Sequence, residues 1–476
     1  MDSEGALAFN QEWFLMVGGA RRHAGLPPPL GEFPLVFRLR GRWDRSLLDQ
    51  ALQTLAARHS VFRTVYKATD WYAPMHREML LRLFMRHGVF IPGIYVRRIL
   101  SSTEIVIVER DAGSASVDDL VAVAMTEPLD PWRPPVRAVV FHMDADTRVL
   151  VLVTSHLVCD GWSIRLVVRD FLKIYQAVLT GDTVDLPGIA VDFDEFADSQ
   201  HRAYSSAAFA ADEAFWRRQW TELNGAAIRH AEIPFSRRST GPEPEVMASG
   251  GVWFTPSASL ALGQAARSLR LTPYILFRTA MTLALSATLG RQRVTSWANF
   301  ANRRPGLEHL VGWCSNTHIV TIDVPETGTV ATVCQQVATA IREAQGHEAM
   351  PLASLWQRIG ANLDRHDTRV NFDMWPVRRS GMVRPPGPID AVFSSFLPRM
   401  DLDVRLLDDG ERFGLRCVYN RSRYEAAGVA TLVSTIAAIA GRIAENASET
   451  PSACIRAAAD GSSACGEFTA SMFDVG

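Results

Sequence analysis

The stretch that most limits what this chain can fold into is TRVLVLVTSH, residues 147–156, which runs on into LVCDGWSIRLVV. Every position from Val149 to Val153 is apolar. A strand with one wet face alternates apolar and polar residues, so this strand is expected to be buried on both faces. VRAVVFHMD precedes it across the short Asp144-Ala145-Asp146 turn, which predicts a β-hairpin. SIRLVVRDFLKIYQAVL follows it, with Ile164, Val167, Val168, Phe171, Leu172, Tyr175 and Val178 on one helical stripe and Gly181 as its stop. A doubly buried strand feeding an amphipathic helix calls for a layered α/β (α+β) architecture.

Further elements read the same way. Asp44 caps a helix carrying Leu47, Leu48, Ala51, Leu52 and Leu55, and FPLVFRLRG before it reads as a strand, as does TEIVIVERD at 103–111. MHREMLLRLFMRH, 75–87, predicts a basic amphipathic helix. It is read as lobe packing or, with Arg77, Arg82 and Arg86 outward, as a lid or docking element for an acidic partner. In the second half, helices are expected near 210–222, 258–269, 273–289, 329–344 and 425–445. Strands are expected near 250–254, 293–299, 317–323, 369–375, 401–408 and 413–419. The segment 447–476 is small, polar and aperiodic, and is expected to be a flexible tail.

The net charge of −2 lacks the basic excess that a nucleic-acid binder needs. The N-terminus MDSEGALAFNQEW has no basic n-region and no long apolar run, so a secretory signal is not expected. Arginines interrupt the apolar stretches, and no membrane span is expected. The six cysteines form no C-x-x-C and no metal spacing, which predicts free thiols, no metal site and a cytoplasmic location.

His156 stands at the end of the buried strand, four residues before Asp160 and Gly161, with a helix next. An imidazole there can act as a base near neutral pH, and amides at the helix start can hold a developing oxyanion. Glycine would permit a tight turn that a β-carbon blocks. Equally, His156 can be an ordinary strand-end residue and Asp160-Gly161 an ordinary turn. The stretch alone leaves both readings open.

Its surroundings carry more. Ser155-His156-Leu157-Val158-Cys159-Asp160-Gly161 resembles the HHxxxDG pattern of condensation domains of non-ribosomal peptide synthetases, in the chloramphenicol-acetyltransferase-like superfamily. FNQEWFL, RHSVFRT with Arg58, His59, Arg63 and Thr64, VDFDEFADSQ, AFWRRQW, ANFANRRPGLEHLVGWCSNT and HEAMPLASL are similar to that family's further motifs, in order, over about residues 9 to 445. The resemblance implies two chloramphenicol-acetyltransferase-like lobes in a V-shaped pseudo-dimer with a central tunnel. The lobes are expected at 1–180 and 181–446. It implies transfer of an acyl group from the phosphopantetheine thioester of an acyl or peptidyl carrier protein to an amine or alcohol, in secondary-metabolite (antibiotic) biosynthesis.

The resemblance also implies roles. His156 matches the histidine that deprotonates or orients the nucleophile, and Asp160 the structural aspartate, with Arg303 as its ion-pair partner. Gly161 would leave room for substrate and offer an amide. Ser155, Trp162, Ser163, Trp313 and Asn316 are expected along the substrate path. Ser155 replaces the first family histidine, while the retained His156 sets the chain apart from the non-catalytic recruitment members. No adenylation or carrier segment is recognised, so a stand-alone monomeric enzyme without a bound cofactor is expected. The alternatives are a non-catalytic binding protein on the same fold and an acyl-CoA-dependent acyltransferase.

Overall fold

The structure is a computed structural model that describes residues 3–23, 31–41, 43–69, 79–80, 83, 93–204, 206–222, 228–237, 247–359, 368–376, 389–392 and 400–460. The first half runs β1 (Ser3–Ala6), α1 (Phe9–His23), β2 (Glu32–Arg40), α2 (Arg45–Arg58), β3 (Thr64–Ala68), β4 (Tyr95–Ile99), β5 (Ile107–Asp111), α3 (Val117–Ala124), β6 (Val136–His142), β7 (Thr147–Ser155), α4 (Gly161–Thr180), α5 (Phe193–Ala203) and α6 (Ala207–Glu222). The second half continues β8 (Met247–Trp253), α7 (Pro256–Ser268), α8 (Pro273–Leu289), β9 (Arg293–Phe300), β10 (Asn316–Asp323), α9 (Val330–Gly346), α10 (Leu352–Ile359), β11 (Val370–Pro376), β12 (Ile389–Val392), β13 (Leu402–Asp408), β14 (Phe413–Asn420), α11 (Ala426–Glu445) and α12 (Pro451–Asp460).

The doubly buried strand is β7, in the middle of a five-stranded sheet of order β12-β2-β7-β6-β5. Leu150 and Leu152 face a core shared with Leu48, Leu52 and Leu55 of α2 and Val167, Phe171 and Ile174 of α4. Val149, Val151 and Val153 face the other side, against Leu120 and Ala124 of α3. The run from Val149 to Val153 is unbroken because each face of the strand meets a helix. β6 and β7 form the expected antiparallel hairpin. Gly181, at φ 74, ends α4 in the left-handed conformation that glycine adopts without strain.

The second sheet has six strands in the order β10-β9-β11-β13-β14-β8. Its apolar face, with Phe372, Val404, Leu406 and Leu415, packs under α8, α9 and α11. A three-stranded sheet, β1-β4-β3, adjoins the first lobe. The two lobes form the V-shaped, chloramphenicol-acetyltransferase-like pseudo-dimer expected from the sequence.

The lobes are not divided at residue 180. Phe193, Phe196 and Ala197 of α5 lie in the first lobe's core, as do Leu307, Leu310, Val311, Trp313 and Cys314. β12 leaves the second half altogether and pairs antiparallel with β2, Ile389 opposite Leu39 and Val392 opposite Val36. The expected flexible tail, 447–476, is corrected over residues 447–460, while 461–476 lie outside the described residues. The amides of Val330 and Ala331 donate to the carbonyls of Glu449 and Ala447, and α12 follows with Cys454 buried. The strand expected at 103–111 begins at Ile107.

Among the described residues one helix, α11, is long and apolar enough by length and composition to cross a membrane. It is a core helix here: Val429, Leu432, Val433, Ile436, Ile439 and Ile443 are buried in the second lobe. Arg77, Arg82 and Arg86 of the expected basic helix lie outside the described residues, as does Cys465. The other five cysteines are buried free thiols. No group of His, Cys, Asp and Glu that could hold a metal occurs among the described residues.

Candidate active site

β7 delivers His156 at its C-terminal end, where the strand stops pairing and turns toward α4. The Ser155 hydroxyl accepts from Leu157 N at 3.2 Å and Val158 N donates to the Ser155 carbonyl at 3.0 Å, so Ser155 shapes the turn. From α1, Gln11 donates to the Leu157 carbonyl and, at 2.9 Å, to the Tyr66 hydroxyl, pinning the loop from beneath. The His156 ring is half-buried between two aromatic rings. Trp313 lies against it with centroids 3.9 Å apart, and Phe33 of β2 meets it edge-on at 4.9 Å. Two apolar neighbours fix the ring's plane, and neither adds a charge beside it.

Asp160 is the residue on which this loop is built. It is buried, caps α4 by accepting from Ser163 N at 2.8 Å, and pairs with Arg303 at 3.0 Å. Its other oxygen accepts from the amides of Cys314 and Ser315 at 3.0 and 2.9 Å. Burial alone would raise this carboxyl's pKa. The Arg303 guanidinium and the hydrogen bonds from Ser163 and Ser315 outweigh it and hold the carboxyl below the usual range. Arg303 further donates to the carbonyls of Ala301, Leu310 and Gly312 and to the Ser163 hydroxyl. One buried ion pair thereby ties α4 of the first lobe to the chain that enters β10 of the second.

The positions of the expected site residues separate by role. His156 and Gly161 are solvent-accessible and stand together at the end of β7 and the start of α4. Gly161 has ordinary backbone dihedrals, and a β-carbon there would meet only the Trp375 ring, at 3.6 Å. The turn therefore does not require glycine, as had been expected. What glycine supplies is open space opposite Trp375. Ser163 is buried, exchanging hydrogen bonds with both Gly312 peptide groups at 2.8 and 3.0 Å, so it does not line a substrate path. Asn316 is likewise buried: it accepts from Asn10 and donates to the Glu348 carbonyl, a clamp between α1, β10 and the chain before α10. Trp162 is anchored by its indole N–H on the Glu308 carbonyl. Trp313 contacts the imidazole itself.

Several residues here were not singled out in the sequence. Asn302 adopts φ 50 and donates to the Cys314 carbonyl, holding the loop that carries Arg303. Its signal is the motif containing Asn302 and Arg303, in which the asparagine tolerates the left-handed conformation. Phe33 reaches the site from a strand distant in sequence, and no local pattern marks it, whereas Trp375 ends NFDMW, 371–375, which lies where a further strand motif of the family is expected.

The family model for the condensation domain matches residues 99–455, three-quarters of the chain. The chain belongs to the condensation-domain family. Among curated relatives, this condensation domain is 28% identical over 343 residues to CymA of Salinispora arenicola, named as a nonribosomal peptide synthetase. That match takes in 70% of this chain and 4% of CymA. It is 25% identical over 413 residues to the phosphinothricin tripeptide synthetase PhsC of Streptomyces viridochromogenes, 83% of this chain and 35% of that protein. The chain thus spans a small part of the synthetases that it matches. Among solved structures, the condensation domain of the monacolin K polyketide synthase MokA superimposes with TM-score 0.77 at 15% identity, over 94% of this chain and 99% of that one. The X-domain from teicoplanin biosynthesis gives 0.74 at 18%, over 94% and 96%.

Proposed function

We propose that this condensation domain transfers an acyl group from a carrier-protein phosphopantetheine thioester to an amine or alcohol. The observation that carries the reading is the His156 imidazole, half-buried at the lobe junction and oriented by Trp313 and Phe33. In the reaction, the nucleophile's N–H or O–H meets His156 while its lone pair attacks the thioester carbonyl. The new C–N or C–O bond forms, the C–S bond breaks, and the proton passes by way of the imidazole to the departing thiolate. Gly161 and Trp162, in the first turn of α4, have amides without helical acceptors by position, and these face a developing oxyanion favourably. Asp160 and Arg303 touch neither reactant in this scheme. They set the loop.

The test is transfer from separately produced acyl-loaded carrier, followed by mass spectrometry of the product, for wild type and His156→Ala. The expected result is a loss of about 100-fold or more in the variant, within the range for a general base. Equal rates in wild type and variant overturn the assignment. Acyl-CoA offered in place of the carrier separates the CoA-dependent alternative. A second reading, recruitment of another protein on the same fold, draws support from the X-domain, which was also solved in complex with OxyB from teicoplanin biosynthesis. Under that reading His156→Ala changes nothing.

A further inference from the structure

The six-stranded sheet has a second face, and it is polar. Asn371, Asp373 and Trp375 of β11 alternate with the core residue Phe372, and Asp403 and Arg405 of β13 alternate with Val404 and Leu406. Register sets Asn371 beside Asp403, Asp373 beside Arg405, and Arg405 beside Arg416 of β14. This face looks into the gap between the lobes. Trp375 lies opposite Gly161, and the charge of Asp118 on α3 of the first lobe acts on the Arg416 guanidinium. The polar face therefore continues from the His156 loop along the wall of the second lobe.

Its charges are unequally served. Asp403 receives Arg405 through Nε and Nη2, both at 2.6 Å, and Asn371 Nδ2 at 2.6 Å. Asp373 receives neutral donors: Asn299 Nδ2 at 3.1 Å, the Trp375 indole at 3.1 Å and the Met374 amide at 2.8 Å. Burial first, and the neighbouring Asp403 charge second, hold the Asp373 carboxyl above its usual range, against the opposing pull of the Asn299 hydrogen bond and of the Arg405 guanidinium beside it in register. Asn371 is buried, its amide nitrogen committed to Asp403, and its Oδ1 meets no donor among the described residues. A desolvated acceptor left empty beside an incompletely compensated carboxylate is costly unless a ligand supplies donors and positive charge. An acyl chain supplies neither. A primary ammonium supplies both, with three donors in a compact head.

We propose that Asn371 and Asp373 form a subsite for an ammonium group, so that the nucleophile of this condensation domain carries a second, non-reacting amine. One nitrogen reaches His156 and the other is held on β11. This inference rests on the acyl-transfer reading for the identity of the reacting end, whereas the subsite itself is tested by binding alone.

The probes are putrescine and cadaverine against n-butylamine and n-pentylamine, titrated into the full chain by calorimetry or ligand-observed NMR. The diamines are expected to bind at least about tenfold more tightly than their monoamine counterparts. Asp373→Asn and Asn371→Leu, checked by thermal melting, are each expected to erase the preference. Two variants guard against one failing to fold. The inference falls if the diamines show no advantage on wild type, or if the advantage survives in a folded Asp373→Asn or Asn371→Leu chain. A diamine preference that depends on Asp373, in a wild type that transfers no acyl group, keeps the subsite and overturns the reaction. Acyl transfer to amines that is indifferent to Asp373 does the opposite.

Discussion

At the scale of single residues, the loop separates the group that faces solvent from those that hold it. Replacing Asp160 by Asn leaves the Arg303 cation buried without its counter-charge. Breaking such a pair from one side costs roughly 3–5 kcal/mol, and chemical denaturation of Asp160→Asn is expected to show a loss of that order. His156→Ala removes a half-buried ring packed on Trp313 and Phe33, and is expected to lower stability by less, about 1–2 kcal/mol. Gly161→Ala is a different kind of change. The added methyl makes ordinary contact with Trp375 and sits at the start of a helix, where alanine is the better former. Stability is expected to hold or rise slightly, while transfer slows and KM rises because the gap opposite Trp375 narrows. Unchanged kinetics in Gly161→Ala would remove Gly161 from the substrate path.

Among the elements, α5 packs closely on the loop before β10. A β-carbon on Gly312 would stand 1.9 Å from Phe193 Cδ2. Gly312→Ala is expected to cost about 1–3 kcal/mol by overpacking, with partial rescue by Phe193→Leu, read from denaturation midpoints. Helices and strands with a strict period were legible in the sequence. α4 and α11 carry 3.6-residue patterns and β7 an unbroken apolar run, all of which packing confirms, and the site loop follows from them because His156, Asp160 and Gly161 lie close together in the chain. α12 escaped because SACIRAAAD is almost all small residues, so its buried Cys454 and Ala458, one turn apart, look aperiodic. β12 escaped because four residues gain a strand's identity only from β2, far away in sequence. The polar face of the second sheet was hidden for a related reason. Asn371, Asp373, Asp403 and Arg405 alternate on single strands in the way that solvent-facing residues do, and only the other lobe turns them inward.

For the whole molecule, acid is expected to weaken both lobes together. Burial lowers the pKa of His59 in the first lobe, against the opposing pull of Asp170. Burial also pushes His318 of the second lobe down to about 3, against a hydrogen bond to Met350. Both rings take up a proton less readily in the folded chain than in the unfolded one, where they titrate near 6.5. The stability they contribute is complete above that pH and declines below it, because the unfolded chain takes up protons that the folded one refuses. Each histidine can contribute a slope of up to ~1.4 kcal/mol per pH unit. Denaturation midpoints are expected to fall steadily from pH 7 to pH 5, and a flat profile would contradict the burial of these rings.

The pairing of β12 with β2 also has a bearing on how the chain is born. A ribosome releases β2 long before it reaches Ile389, and at ~5–20 residues per second the interval is tens of seconds. Through that time the outer edge of the first sheet offers unpaired N–H and C=O groups to any extended peptide nearby. Vectorial synthesis therefore ends with a late closing event. The last partner of the first sheet arrives from the far end of the molecule, so the first half completes its hydrogen bonding only once most of the second has emerged.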